Sequence, residues 1–123
     1  QMLKKFTKKK FQFSFTPHLS PMFRGILSTI YVDLENNISQ TKVLKTLISF
    51  YKNESFVKIL KSDTLLSTND VINTNNCYIS VCKSKYSNKI IILSAIDNLI
   101  KGGAGQAVQN LNIKFNFPEK TAL

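Results

Sequence analysis

Gly102, Gly103, Ala104 and Gly105 follow Lys101 and lead directly into the run QAVQNLNIKF. Glycines ahead of a helix let the main chain approach a bulky ligand, and the first free N–H groups of the helix point at whatever lies there. The same residues also make a tight turn that holds nothing, and both readings stand. The GxGxxG spacing of a dinucleotide fingerprint is absent. His18 and Arg24, in PHLSPMFRG, form a second constellation. An imidazole and a guanidinium fork can hold a carboxylate or phosphate between them. The alternatives are a surface histidine and an internal salt bridge. Cys77 and Cys82 have no base beside them in sequence, so they read as structural thiols in a reducing compartment. Five residues apart on a strand, they face opposite sides and make a poor disulfide. With one histidine in the chain, no zinc cluster is expected.

Those residues need a scaffold, and 123 residues with 43% hydrophobic content supply one domain. The net charge is +10, yet sixteen of the seventeen basic residues are lysine and only Arg24 is arginine. Phosphate-grasping surfaces favour guanidinium forks, so nucleic-acid binding is not expected beyond weak adhesion to polyanions at low salt. Five of the lysines lie in residues 1–10, QMLKKFTKKK, which form a basic N-terminal segment without the apolar core of a secretory signal. An initial Gln is not a translation start, which suggests processing or truncation. No window is apolar for long enough to span a membrane, and a cytoplasmic protein, or one of an organellar matrix, is expected.

The hydrophobic pattern predicts a strand at 11–16, where Phe11, Phe13 and Phe15 alternate, and a second in ILSTIYVDL after Gly25. Ser39 caps a helix whose Val43, Leu44, Leu47, Ile48 and Tyr51 follow the 3.6-residue period and cover a sheet. Lys42 stands where a capping box needs Glu or Gln, so the cap is simple. Strands are predicted at 55–60, at 77–83 and, after a turn at Ser87 and Asn88, at 89–96. KIIILSAI is apolar throughout, which predicts a central strand covered on both faces. A final helix carries the stripe Ala107, Val108, Leu111 and Phe115 and stops before Pro118. The class is α+β: a mixed β-sheet covered by helices, with a last helix that the sheet does not need.

FTPHLSPMFRGILSTIYV at 15–32 and AIDNLIKGGAGQAVQNLNIKFNFPEKTAL at 95–123 resemble the C-terminal part of the N-acetyl-gamma-glutamyl-phosphate reductase family, which is related to aspartate-semialdehyde dehydrogenase. Between them, DVINTNNCYISV at 70–81 is similar to a family strand written V-x-G-[ST]-N before a cysteine, with Ile72 and Asn73 where an apolar residue and glycine are common. The likeness runs from about residue 11 to 123. It implies a glyceraldehyde-3-phosphate dehydrogenase-like C-terminal domain at 11–100, followed at 101–123 by a cofactor-proximal turn and a helix that packs on a Rossmann domain absent from these residues.

The implied activity is NADPH-dependent reduction of N-acetyl-glutamyl 5-phosphate to the semialdehyde with release of phosphate, a step of arginine biosynthesis. The implied cofactor, NADP(H), is held mainly by an N-terminal dinucleotide-binding domain, in the same polypeptide or a companion chain, and the assembly is a homo-oligomer. The resemblance implies cofactor-side positions at Lys101, Gly102, Gly103, Ala104, Gly105, Gln106 and Asn110. GGAGQAVQN here stands where GAAGQAVQN is common. His18 and Arg24 are implied on the substrate side, with Arg24 as an anion contact. The family's nucleophilic cysteine and its assisting histidine have no match here. The chain alone is therefore expected to be inactive, and neither Cys77 nor Cys82 takes that role. The alternative is a non-catalytic structural or regulatory module derived from the domain.

Overall fold

The computed structural model describes residues 12–35, 38–86 and 88–123. Four strands form one mixed sheet in the order β1-β4-β3-β2: β1 is Ile26–Asp33, β2 Val57–Ile59, β3 Cys77–Lys83 and β4 Lys89–Ile96. β4 runs antiparallel to β1 and to β3, whereas β3 and β2 are parallel. The β-branched run of KIIILSAI suits the inner position that β4 takes. In register, Leu27 and Tyr78 flank Ala95, while Ile26 and Cys77 flank Ile96. That register sets Cys77 and Cys82 on opposite faces; both are free thiols, the first half-buried and the second buried.

Between β1 and β2 runs α1 (Gln40–Tyr51). Its cap is the simple one: Ser39 Oγ accepts from the Lys42 N–H at 3.2 Å. α1 rests on β2 and β3 through half-buried Val43, Leu44, Leu47 and Tyr51, while Ile48 is exposed. A small core lies between the sheet and the connection to β3, where Leu66, Val71 and Ala95 are buried and Leu60, Tyr78 and Leu93 pack against them. α2 (Gly105–Lys114) follows β4 through a wide turn at Ile100–Ala104.

Two expectations need correction. Residues 12–16 form no strand and are exposed, with Phe11 outside the described residues. Alternating phenylalanines supply the period, but among the described residues the first strand is β1. β4 is not covered on both faces. Only Ile90 and Ala95 along it are buried, because α1 lies over β2 and β3 and leaves β1 bare: Ile26, Leu27, Ile30 and Tyr31 are all exposed. The stripe on α2 points outward, as expected of a last helix that the sheet does not need: Ala107, Leu111 and Phe115 are exposed and Val108 is half-buried, while Gln109 and Asn112 turn inward. The basic segment at 1–10 and Ser87 of the β3–β4 turn lie outside the described residues.

Candidate functional site

The end of β4 gathers a connected set of polar groups. Asp97, the first residue past the strand, is completely buried, and a carboxylate in that position needs partners for both oxygens. Its Oδ1 accepts the backbone N–H of Leu99 at 2.8 Å and of Ile100 at 2.9 Å. Oδ2 accepts the Asn73 N–H at 2.9 Å and lies 2.8 Å from Arg24 Nε. The Arg24 contact is an ion pair, not an aligned hydrogen bond, since Nε has no hydrogen-bond partner. Burial pushes the Asp97 pKa up. The Ile100 and Asn73 N–H groups, the Arg24 guanidinium and the Leu99 N–H outweigh that effect and hold it down to about 2. The charged form of Asp97 is thereby favoured over the neutral acid.

One residue on, Asn98 Oδ1 accepts the Gly25 N–H at 2.8 Å. Arg24 and Gly25 are thereby tied to consecutive residues of the turn. Gly25 is required there. Its φ of +107° is in the left-handed region, and a Cβ would lie 2.6 Å from Thr68 Cβ. Asn73, where the resembled motif has glycine, keeps a glycine-like backbone with φ of +62°. Asparagine is among the side chains that accept this conformation, so the turn that presents the Asn73 N–H to Asp97 survives the exchange.

The turn itself is fixed by its main chain. Gly102 N–H reaches the Asp97 carbonyl at 2.8 Å and Ala104 N–H the Leu99 carbonyl at 2.9 Å. Gly102, Gly103 and Ala104 are exposed, and a Cβ on Gly103 would meet nothing closer than the Asn98 carbonyl at 3.4 Å. Gly105 is the opposite case. It is buried, and a Cβ there would sit 2.5 Å from Asn75 Oδ1 and 2.6 Å from Ile100 Cγ2. Lys101 also faces inward: its Nζ donates to Gln109 Oε1 at 2.6 Å and lies 5.4 Å from the centre of the Phe56 ring. Burial lowers the Lys101 pKa, against the opposing pull of Cys77, Glu119 and Glu54.

Beneath the turn, Gln109 Oε1 also accepts from Asn75 Nδ2 at 3.0 Å, and Gln109 Nε2 donates to Glu119 Oε1 at 2.7 Å. Asn112 Nδ2 bonds the carbonyls of Glu119 and Thr121. These bonds explain why α2 turns its amides inward and its apolar stripe outward: the tail at 119–121 and the loop at Asn75 offer polar partners, not an apolar surface. On the outer side, Gln106 Nε2 donates to Asn110 Oδ1 at 2.9 Å, leaving Asn110 exposed.

The structure thus brings Arg24 and the Gly102–Ala104 segment together through Asp97. His18 is not part of that group. It lies in the exposed stretch before β1, with Nδ1 3.1 Å from the Thr16 carbonyl. Asp97 and Asn98 are the residues that sequence reasoning passed over. The available signal was an Asp-Asn pair at the end of an apolar strand, a place where such side chains bond backbone N–H groups two residues on. No helix of the described residues is long and apolar enough to cross a membrane.

A family model described as "Semialdehyde dehydrogenase, dimerisation domain" matches residues 1–98. The N-acetyl-gamma-glutamyl-phosphate reductase of Thermoanaerobacter pseudethanolicus is 48% identical over 123 residues, which is 100% of this chain and 36% of that protein. The protein of the same name from Desulforamulus reducens is 52% identical over 110 residues, 89% of this chain and 32% of the relative. The chain spans about a third of the length of the curated relatives it matches. Among solved structures, aspartate semialdehyde dehydrogenase II of Vibrio cholerae, complexed with ASA, is similar with a TM-score of 0.54 at 18% identity. That match covers 76% of this chain and 28% of the other, and it is a likeness of fold.

Proposed function

The chain belongs to the semialdehyde dehydrogenase dimerisation-domain family, and from that premise we propose that it forms the C-terminal, substrate-side part of an N-acetyl-gamma-glutamyl-phosphate reductase. The observation that carries the reading is 48% identity across all 123 residues to a relative of that name. The reaction would be reduction of N-acetyl-glutamyl 5-phosphate by NADPH with release of phosphate, within arginine biosynthesis in the cytoplasm. The nucleophilic cysteine, its assisting histidine and the dinucleotide-binding domain lie outside these residues in this reading. These residues alone are then inactive, and Cys77 and Cys82 have no catalytic part.

Arg24 is assigned to the carboxylate or phosphate of the substrate. Its short contact with Asp97 runs through Nε, so the Nη fork that grips such anions is not the side held by Asp97. His18 is assigned to the wall of the same cleft once the missing domain is present. NADP(H), when bound, supplies the hydride. The residues here fit a contact with it in one respect, the exposed main chain at Gly102, Gly103 and Ala104, where a Cβ on Gly103 would meet only the Asn98 carbonyl at 3.4 Å. Gln106 and Asn110 are exposed or half-exposed beside that segment and are assigned to the same side. Gly105 and Lys101 support it from beneath, the first by letting Asn75 approach and the second by bonding Gln109.

A second copy of the chain is the proposed partner for bare β1, which exposes Ile26 and Ile30 on one face and Leu27 and Tyr31 on the other, apolar residues of the kind that mark an interface. The outward stripe on α2 is the proposed seat of the dinucleotide-binding domain.

The assignment of the turn is tested by Gly103→Leu in the full-length reductase. A Cβ there meets only the Asn98 carbonyl, at 3.4 Å, and the melting temperature of the variant is recorded beside its kinetics. The substitution is expected to raise the KM for NADPH by about tenfold or more, the size of losing one good contact, with the KM for the acyl phosphate little changed. Unchanged NADPH kinetics would remove the turn from the cofactor site.

A further inference from the structure

Asp97 touches both the Arg24 side and the glycine-turn side of the site. One oxygen, Oδ1, holds the start of the turn through Leu99 and Ile100, while the other, Oδ2, holds Arg24 and the Asn73 N–H. Its own carbonyl accepts the Gly102 N–H, and its neighbour Asn98 holds Gly25. The carboxylate is wholly buried, so solvent does not compete for these contacts. A rigid planar group with its two oxygens on two different segments fixes the distance and angle between those segments.

We infer that Asp97 is a positioning residue that locks the anion-binding guanidinium of Arg24 to the cofactor-facing turn, so that the grips on acyl phosphate and on NADP(H) are set by one carboxylate. The inference rests on the assignments of Arg24 and the turn made above. Asp97 touches neither ligand. It acts through Arg24 on one side and through the Leu99 and Ile100 N–H groups on the other. A displacement on either side is transmitted through the carboxylate, because both of its oxygens are engaged.

The test is Asp97→Asn in the full-length reductase, with KM and kcat determined for both substrates and the melting temperature recorded alongside. The amide keeps the shape but turns one acceptor into a donor facing donors. The expected result is a rise of about tenfold in both KM values, with kcat for the folded fraction within about threefold of the parent. A merely structural Asp97 would lower the melting temperature and the active fraction while leaving both KM values alone, and that result overturns the inference. Arg24→Lys and Gly103→Leu separate this failure from failure of the underlying reading. If neither moves its own KM, the site assignment is wrong. If both do and Asp97→Asn moves neither, only the coupling is wrong. Should Asp97→Asn fail to fold, Asn98→Ala removes the single bond to Gly25. It is expected to raise the acyl-phosphate KM several-fold with a small change in melting temperature, and an unchanged KM there also overturns the inference.

Discussion

Asp97→Ala is expected to destabilise the protein by about 3–5 kcal/mol, the usual cost of removing one partner from a buried ion pair. The substitution strips the acceptor from the Leu99, Ile100 and Asn73 N–H groups and leaves Arg24, four-fifths buried, without its counter-charge. Denaturant unfolding of the full-length protein checks this, provided the transition that contains these residues is followed. A loss below about 1 kcal/mol would mean that water satisfies those groups and that the burial described here is wrong. The pH dependence has a definite sign. Asp97 has a folded pKa of about 2 against an ordinary value of 3.8, so its contribution is present above the ordinary value. It is lost as the pH falls from about 4 through about 2. Acid unfolding of the parent should steepen in that window, and the alanine variant should lack that component.

Arg24→Lys is expected to raise the KM for the acyl phosphate by about 10- to 100-fold in the full-length reductase. A charge-assisted fork makes two bonds to a planar anion where an ammonium makes one, and a hydrogen bond to a charged group is worth about 1.5–3 kcal/mol. Each 1.4 kcal/mol or so is a factor of ten. Lysine keeps a positive charge near Asp97, so the fold should hold and the effect should appear in substrate binding. Arg24→Ala would confound the two, because it also leaves the buried carboxylate without a cation. Steady-state kinetics with varied acyl phosphate at saturating NADPH make the measurement. An unchanged KM would take Arg24 out of the substrate site and leave it as the internal partner of Asp97.

Legibility in the sequence varied with the kind of evidence each element offers. β1, β3 and β4 were visible because runs such as ILSTIYVD and KIIILSAI carry β-branched residues between clear turn signals. α1 was visible from its Ser39 cap and its stripe at the helical period. The strand read at 11–16 failed because period two states a preference and says nothing of a partner strand. α2 shows a complementary limit. Hydrophobic periodicity finds the helix and its outward stripe but not the inward Gln109 and Asn112, which meet Asn75, Glu119 and Thr121. Those partners are distant in sequence or lie past Pro118, so nothing local predicts them.

The candidate site was legible in part. Arg24 and the glycine turn were found by residue type, as the chain's only arginine and the densest glycine cluster. The group that unites them was not, because a single aspartate after an apolar strand looks like an ordinary turn residue until the fold buries it. Asn73 illustrates the same limit from the other side. Asparagine where the resembled motif has glycine does not by itself state the backbone conformation, and the positive φ of Asn73 shows that a glycine-like one is kept.

The central claim is that these residues are one side of a reductase whose dinucleotide-binding side lies elsewhere. Oxidation of NADPH in the presence of N-acetyl-glutamyl 5-phosphate should be measured for the 123 residues by themselves and for the same residues in a chain that also carries the dinucleotide-binding domain. The account predicts turnover only in the second case, and turnover by the 123 residues alone would contradict it.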